Sequence, residues 1–317
     1  MGYARKGDFG QPEASGSQRP APYREKRMSQ HTGPILLATD LSARGDRALD
    51  RALQLAKELN TKLVVLHVME NHAAPARLTT PVWRRLAADH KALAERELAE
   101  DLANAGVPTE VVVTKGDPLT CIMETADSFG CSLIIAGIAR DETLGRLLLG
   151  TTVEKLVRQA RQPVLVVKNR PRKPYRDVLV ATDFSAGSRQ ALRAALQLVP
   201  NASLTLFHAY DVPFQGKNPV PDDAVTRSFY HAAEQSSREF IAATPELADV
   251  APPKVVMECG QPETVLSEYS FNHRSDLVVT GTHGRTGLLR TAIGSVAERL
   301  LEALPSDVLI VRLTGEE

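Results

Sequence analysis

The strongest constraint on this chain is that it contains one pattern twice. The segment Ile35-Leu-Leu-Ala-Thr-Asp40 returns almost unchanged as Val178-Leu-Val-Ala-Thr-Asp183. The two segments lie about one domain length apart, which is typical of a duplicated domain. We therefore interpret the chain as one fold present in two copies, and the copies can be compared with each other.

Composition is that of an ordinary globular protein. The 317 residues suffice for two domains with separate cores, and the formal net charge is zero. No apolar run approaches the roughly 20 residues that a membrane-spanning helix needs. We expect a cytoplasmic protein without a membrane or nucleic-acid partner. The three cysteines lack metal-ligand spacing, which favours reduced thiols.

The amino-terminal segment 1–33 differs from the rest of the chain. It is rich in Gly, Pro, Ser, Gln, Arg and Lys and shows no apolar periodicity. This composition predicts a disordered tail. A basic tail that contacts nucleic acid or a protein partner is the alternative.

In both copies short apolar runs alternate with amphipathic stretches. The predicted strands are 35–39, 62–68, 110–114, 132–136 and 164–167, followed by 177–182, 203–209, 254–258, 276–280 and 308–312. The predicted helices are 43–59, 80–105, 118–129 and 151–161, followed by 187–199, 221–244, 262–272 and 295–303. Apolar strands separated by helices indicate a parallel sheet that is covered on both faces.

Right-handed crossovers then give each copy a five-stranded, doubly wound α/β fold. The segment Pro171-Arg-Lys-Pro174 separates the copies, so we predict domains over 34–170 and 171–317. Because this linker is short, the two domains should pack together. The long amphipathic stretch 80–105 is predicted to cover its own sheet; its alternative role is a partner helix.

A glycine-rich loop in the second copy carries the chemistry. Gly281-Thr-His-Gly284-Arg-Thr-Gly287 follows the fourth predicted strand, and Gly294-Ser295 opens the next helix. Glycines let backbone N–H groups approach an anion, and a helix start adds further amides and the positive end of the dipole. The spacing predicts a cradle for a phosphate chain, to which His283 and Arg285 could donate. A purely structural turn is the alternative.

The aspartate at the end of the first strand of this copy points to the same crevice. Ligands of such sheets bind beyond the carboxyl ends of the strands, where Asp183 is expected. Its carboxylate suits a ribose hydroxyl, the adenine side or a bound Mg²⁺. Two histidines at equivalent positions of the second strand, His67 and His208, have no second ligand at metal spacing. We predict that both are packed and hydrogen-bonded.

These motifs resemble the universal stress protein family over about residues 34–313. The resemblance rests on the repeated Ala-Thr-Asp, on Gly116-Asp-Pro118 and Gly260-Gln-Pro262, on the Gly281…Ser295 loop, and on the closing runs Val164-Leu-Val-Val167 and Val308-Leu-Ile-Val311. It implies a strand order 3-2-1-4-5 in each domain. It also implies that the closing strands pair, as an intrachain pseudo-dimer or between two chains.

The resemblance further implies that adenine nucleotide is the partner and that ATP, with or without Mg²⁺, is the cofactor. Thr182 and Asp183 would then lie near the adenosine, and the backbone of Ala209 would face the adenine. The residues around the ribose and phosphates would be Gly281, His283, Gly284, Gly294, Ser295 and Val296.

The first copy keeps the ends of the cradle but not its middle. Gly137 and Gly150-Thr151 are retained, whereas Gly284 is replaced by Arg140, which Asp141-Glu142 follows. A Cβ restricts the loop, and the two carboxylates would repel a triphosphate. We therefore predict an intact nucleotide site in domain 2 and weak or no binding in domain 1. Arg140 could contact an anion itself, although a solvated loop arginine is the simpler interpretation.

The leading functional hypothesis is a cytoplasmic tandem stress protein that binds ATP in domain 2 and thereby regulates a stress response or its own assembly. A nucleotide-independent interaction module is the alternative. A slow ATPase or nucleotidyl transferase is less favoured, because the sequence offers no convincing general base, second catalytic carboxylate or nucleophile motif.

Overall fold

The computed structural model describes residues 33–42, 45–69, 90–138, 150–210, 224–248, 250–282 and 294–313. The first copy contains β1 (Ile35–Thr39), α1 (Gly45–Glu58), β2 (Leu63–Met69), α2 (His90–Leu102), β3 (Thr109–Lys115), α3 (Pro118–Ser128), β4 (Leu133–Gly137), α4 (Thr151–Gln159) and β5 (Val164–Val167). The predicted tail falls outside this range, apart from Gly33.

The second copy repeats this order. It contains β6 (Asp177–Ala181), α5 (Ala186–Leu198), β7 (Ser203–Tyr210), α6 (Ala224–Ala242), a 3₁₀ turn (Pro245–Leu247), β8 (Lys254–Cys259), α7 (Pro262–Asn272), β9 (Leu277–Gly281), α8 (Ser295–Ala303) and β10 (Asp307–Val311). The predicted fold class, two doubly wound α/β copies, is confirmed.

The strands form one continuous sheet in the order β3-β2-β1-β4-β5-β10-β9-β6-β7-β8. Each copy therefore has the order 3-2-1-4-5, with parallel pairing inside the copy. The closing strands β5 and β10 pair antiparallel, with Leu165 beside Leu309. This intrachain pairing is the one that the resemblance implied, and it joins the copies into a ten-stranded sheet.

Two apolar layers cover the sheet, and both extend across the two copies. Neighbouring residues of a strand point to opposite faces, so Leu36 packs in one layer and Leu37 in the other. Leu165 and Leu309 lie in the layer of Leu37, and Val166 and Val308 lie in the layer of Leu36. The two domains thus share their core, which explains why a short linker suffices between them.

Helix α2 covers its own sheet along the described part of the predicted stretch 80–105. Ala94, Leu98 and Leu102 are buried in the same layer as Val113 of β3. Residues 80–89 of the predicted helix lie outside the described residues. None of the helices within the described ranges is long and apolar enough to cross a membrane.

The two equivalent histidines are hydrogen-bonded, as predicted. Nδ1 of His67 lies 3.0 Å from the carbonyl oxygen of Thr39, and Nδ1 of His208 lies 2.7 Å from that of Thr182. A carbonyl only accepts, so Nδ1 donates in both pairs. Across the described parts of the chain, no three His, Cys, Asp or Glu side chains group as metal ligands would.

Candidate functional site

The candidate residues converge at the carboxyl edge of three neighbouring strands, β9, β6 and β7. Gly281 ends β9, Thr182 and Asp183 follow β6, and Ala209 lies near the end of β7. From β6 the chain first adds strands on one side and later returns to add β9 on the other. Such a reversal opens a crevice at the strand ends, where ligands of doubly wound sheets bind.

Thr182 and Asp183 build the turn that leads from β6 into α5. The buried Thr182 donates from its backbone to the carbonyl of Phe207 at 2.9 Å, and its hydroxyl oxygen accepts from the N–H of Phe184 at 2.9 Å. Phe184 has a φ of 64°, in the left-handed region. The side chain of Thr182 therefore has a structural role at the edge of the site.

The carboxylate of Asp183 is anchored inside the same turn. Its Oδ1 accepts from the N–H of Ser185 at 3.1 Å and from the hydroxyl of Ser188 at 2.7 Å. The hydroxyl of Ser185 in turn accepts from the N–H of Ser188 as the N-cap of α5. These bonds fix the carboxyl group in one orientation at the strand end.

The first copy builds the same turn. The hydroxyl of Thr39 accepts from the N–H of Leu41 at 3.1 Å, and Oδ1 of Asp40 accepts from the N–H of Ser42 at 3.0 Å. Leu41 also has a left-handed φ, 57°. The repeated Thr-Asp is thus a feature of the fold in both copies, and by itself it does not distinguish a domain that binds nucleotide.

The start of α8 packs directly on the end of β9. The N–H of Gly294 donates to the carbonyl of Thr282 at 2.7 Å, and a Cβ at Gly294 would lie 2.8 Å from that oxygen. Only glycine permits this approach without a shift, although its φ of −65° suits any residue. Gly294 supplies no side-chain cap, and Ser295 and Val296 are exposed.

This helix start is suited to an anion. The first N–H groups of a helix have no partner within the helix, and the positive end of the dipole lies at the same place. In domain 1, Gly150 is likewise the N-cap of α4 without a side-chain hydrogen bond. A helix start at a glycine without a side-chain cap is therefore present in both copies.

The structure brings seven of the ten predicted site residues to this edge: Thr182, Asp183, Ala209, Gly281, Gly294, Ser295 and Val296. The other three, His283, Gly284 and Arg285, lie outside the described residues, as do Arg140, Asp141 and Glu142 of the first copy.

An aromatic group beside the Thr-Asp turn was missed in the sequence. The ring of Phe184 lies 4.5 Å from that of His208 and 5.7 Å from that of Phe240, measured between centroids. The guanidinium of Arg189 lies 5.7 Å from the centre of the Phe240 ring. The signal was available, since Phe184 stands where the first copy has Leu41. Phe184 and Phe240 pack in the apolar layer that contains Leu37.

Two half-buried side chains with raised pKa values lie beside Ala209. Burial raises the pKa of Tyr210, the last residue of β7. Burial, with a further contribution from the charge of Glu268, raises the pKa of Glu258, which stands beside Ala209 in the β7–β8 register. Partial burial at this edge disfavours an additional negative charge.

Comparison with known proteins identifies the family. The family model described as "Universal stress protein family" matches residues 31–168 and 174–312. The chain therefore belongs to the universal stress protein family and carries two of its domains.

Relatives and solved structures agree with this tandem organisation. A universal stress protein of Mycobacterium tuberculosis is 28% identical over 304 residues, which cover 90% of this chain and 99% of that protein. Universal stress protein E of Escherichia coli is 26% identical over 235 residues, which cover 68% and 72%. A universal stress protein from Archaeoglobus fulgidus shares the fold with a TM-score of 0.64 at 20% identity, over 88% of this chain and 98% of that one. A functionally unknown protein from Pseudomonas aeruginosa does so with a TM-score of 0.65 at 22% identity, over 91% and 94%.

Proposed function

We propose that this tandem universal stress protein binds ATP in its second domain and uses that occupancy to regulate a stress response. Family membership supports the role in stress response. The nucleotide is our inference from the edge formed by β9, β6, β7 and the start of α8. We also propose the cytoplasm as its location, because the charge is balanced and no long apolar run is present.

The observation that carries the proposal is the start of α8. Gly294 lets the first helical turn pack on the carbonyl of Thr282, without a side chain that would occupy the turn's N–H groups. Phosphate oxygens are the partners that such a helix start favours. Asp183 is the one carboxylate among the proposed residues, so it would serve a ribose hydroxyl or a Mg²⁺ ion that accompanies the phosphates.

The base would lie against the carboxyl end of β7. Ala209 lies half-buried near the carboxyl end of β7, beside Glu258 of β8. An adenine would supply both a flat apolar face and polar edges for backbone groups. These features fit an adenine nucleotide better than a simple phosphate ion.

The competing function is a nucleotide-independent interaction module. The Thr-Asp turn favours it to some extent, because the turn serves the fold in both copies. Within the predicted loop, the two domains differ at Gly284 of one copy and the corresponding Arg140 of the other. A matched pair of variants at these two positions separates the two functions.

We expect ATP at a hundred times its dissociation constant to stabilise the wild-type chain by about 2.7 kcal/mol, seen as a rise in melting temperature. Gly284→Asp should abolish the rise, because it adds a Cβ and a charge that repels phosphate. The control Arg140→Asp should retain the rise. An equal rise in the wild type and in Gly284→Asp would contradict a site in domain 2, and no rise in any chain would favour the interaction module.

A further inference from the structure

A basic residue follows each closing strand, Lys168 after β5 and Arg312 after β10, and its side chain contacts the other domain. We call α4 and α8 the cradle helices, because their N-caps are Gly150 and Gly294, the glycines at the end of the predicted cradle in each copy. Lys168, directly after β5 of domain 1, donates from Nζ to the carbonyl of Leu301 at 2.6 Å and to that of Leu304 at 2.8 Å. These carbonyls lie at the carboxyl end of α8, in domain 2.

The reverse contact is made from domain 2. Arg312, directly after β10, donates from Nη1 to the carbonyl of Arg158 at 3.2 Å and to that of Gln159 at 3.1 Å. These carbonyls lie at the carboxyl end of α4, in domain 1. Lys168 and Arg312 are corresponding residues of the repeat, so each domain caps the cradle helix of the other.

The cap on α8 is the more deeply buried of the two. Lys168 is 5% exposed, and burial lowers the pKa of its ammonium to about 8. The negative charges of Asp307 and Glu302 raise this pKa and so offset part of the effect of burial. At neutral pH the ammonium is still mostly protonated. A positive charge at this place complements the negative end of the helix dipole and satisfies carbonyls that have no partner within the helix.

Lys168 is itself held by a buried carboxylate at the start of β10. Oδ1 of Asp307 accepts from the N–H groups of Lys168 and Asn169, each at 2.9 Å, and Oδ2 accepts from the hydroxyl of Tyr175 at 2.6 Å. Nε of Arg51, from α1, lies 3.7 Å from Oδ2. The backbone from which the Lys168 side chain extends is thus fixed by groups from both domains.

Helix α8 joins this cap to the candidate site. Its amino end is bound to β9 through Gly294 and Thr282, and its nine residues make a rod about 13 Å long. Midway along it, Glu298 forms an ion pair with Arg158 of α4. A change at the carboxyl end can therefore alter the order of the first turn, where the phosphates are expected.

We propose that domain 1 fixes the position of α8 through Lys168 and thereby sets the nucleotide affinity of domain 2, an inference that rests on the nucleotide site proposed above. Without the ammonium, the carbonyls of Leu301 and Leu304 lose their donor and the last turn frays. ATP must then order the helix when it binds, so that part of its binding free energy is lost. Lys168 acts as a positioning residue and does not contact the ligand.

The test compares Lys168→Met with the matched variant Arg312→Met in the full chain, using calorimetric titration with ATP. We expect Lys168→Met to weaken binding about three- to tenfold, the range of a helix-end charge in a partly buried setting. Arg312→Met should stay within about twofold of the wild type, because its cap lies on α4. Lys168→Arg should keep the wild-type affinity, since Arg312 makes the equivalent cap on α4. Lys168→Gln replaces the Met variant if that chain does not fold.

Amide hydrogen exchange gives a readout that is independent of ATP. Exchange should become faster in α8 for Lys168→Met and in α4 for Arg312→Met, by about the same factors as above. If a folded Lys168→Met chain binds ATP with unchanged affinity, Lys168 does not set the affinity of domain 2 and the inference fails. ATP binding by the wild type would still support the proposed function. If the wild type binds no ATP, the proposed function fails, and unchanged exchange in α8 would then also overturn the positioning role of Lys168.

Discussion

Asp307→Ala should lower the free energy of unfolding by about 3–5 kcal/mol, the cost of removing one member of a buried ionic group. Asp307 is 1% exposed and accepts from the amides of Lys168 and Asn169 and from the hydroxyl of Tyr175. Alanine leaves these donors without their acceptor and the guanidinium of Arg51 without its counter-ion. Urea denaturation of the full chain measures the loss.

The loss is smaller than the sum of the broken bonds. Burial raises the pKa of Asp307, so its ionised form already costs free energy, which the hydrogen bonds only partly offset. Asp307→Asn keeps an acceptor for the two amides and should cost about 1–2 kcal/mol. Asp177→Ala, at the exposed start of β6, is the matched control and should stay within about 0.5 kcal/mol of the wild type. A loss below about 1 kcal/mol in Asp307→Ala would contradict the role of this carboxylate.

Gly294→Val should weaken ATP binding about a hundredfold. Its Cβ would lie 2.8 Å from the carbonyl of Thr282, so the first turn of α8 must move away from β9. Two charge-assisted hydrogen bonds to phosphate, at about 1.5 kcal/mol each or somewhat less, account for a factor of this size. Calorimetric titration of the full chain measures the dissociation constant.

Gly150→Val is the matched control, because Gly150 is the N-cap of α4 in the same conformation. It should leave the affinity within about twofold of the wild type, because it changes a helix start in the other domain. Equal weakening by both substitutions would indicate that both domains bind nucleotide. Unchanged binding in Gly294→Val would exclude the start of α8 from the site.

Most of the fold was predictable because apolar periodicity reports burial directly. The fully apolar runs became the central strands, and helices formed between them in the expected order. The continuous sheet was not predictable from periodicity, since a run such as Val164–Val167 does not reveal its neighbour; the resemblance implied that pairing. Nor did the sequence indicate that Asp307 is buried, because an aspartate before an apolar run is usually a solvated strand start. Its burial depends on Arg51 and Tyr175, which are distant in sequence.

The candidate site was predictable where a residue type is required by backbone geometry. Gly294 belongs to this class, because the close approach of Thr282 leaves no room for a side chain. Asp183 is different, since it follows the same Thr-Asp pattern as Asp40 and holds the same turn. Lys168 and Arg312 occupy equivalent places after the closing strands, but a cation there is usually solvated. That each of them caps a helix of the other domain becomes apparent only when β5 and β10 are paired.

The most direct test of a single nucleotide site in domain 2 is equilibrium dialysis of the full chain against ATP, with Gly284→Asp measured in parallel. We predict saturation at about one ATP per wild-type chain, as only the second copy keeps the glycine loop, and no binding in the variant. Saturation at two equal sites, no binding by the wild type, or unchanged binding in Gly284→Asp would contradict it.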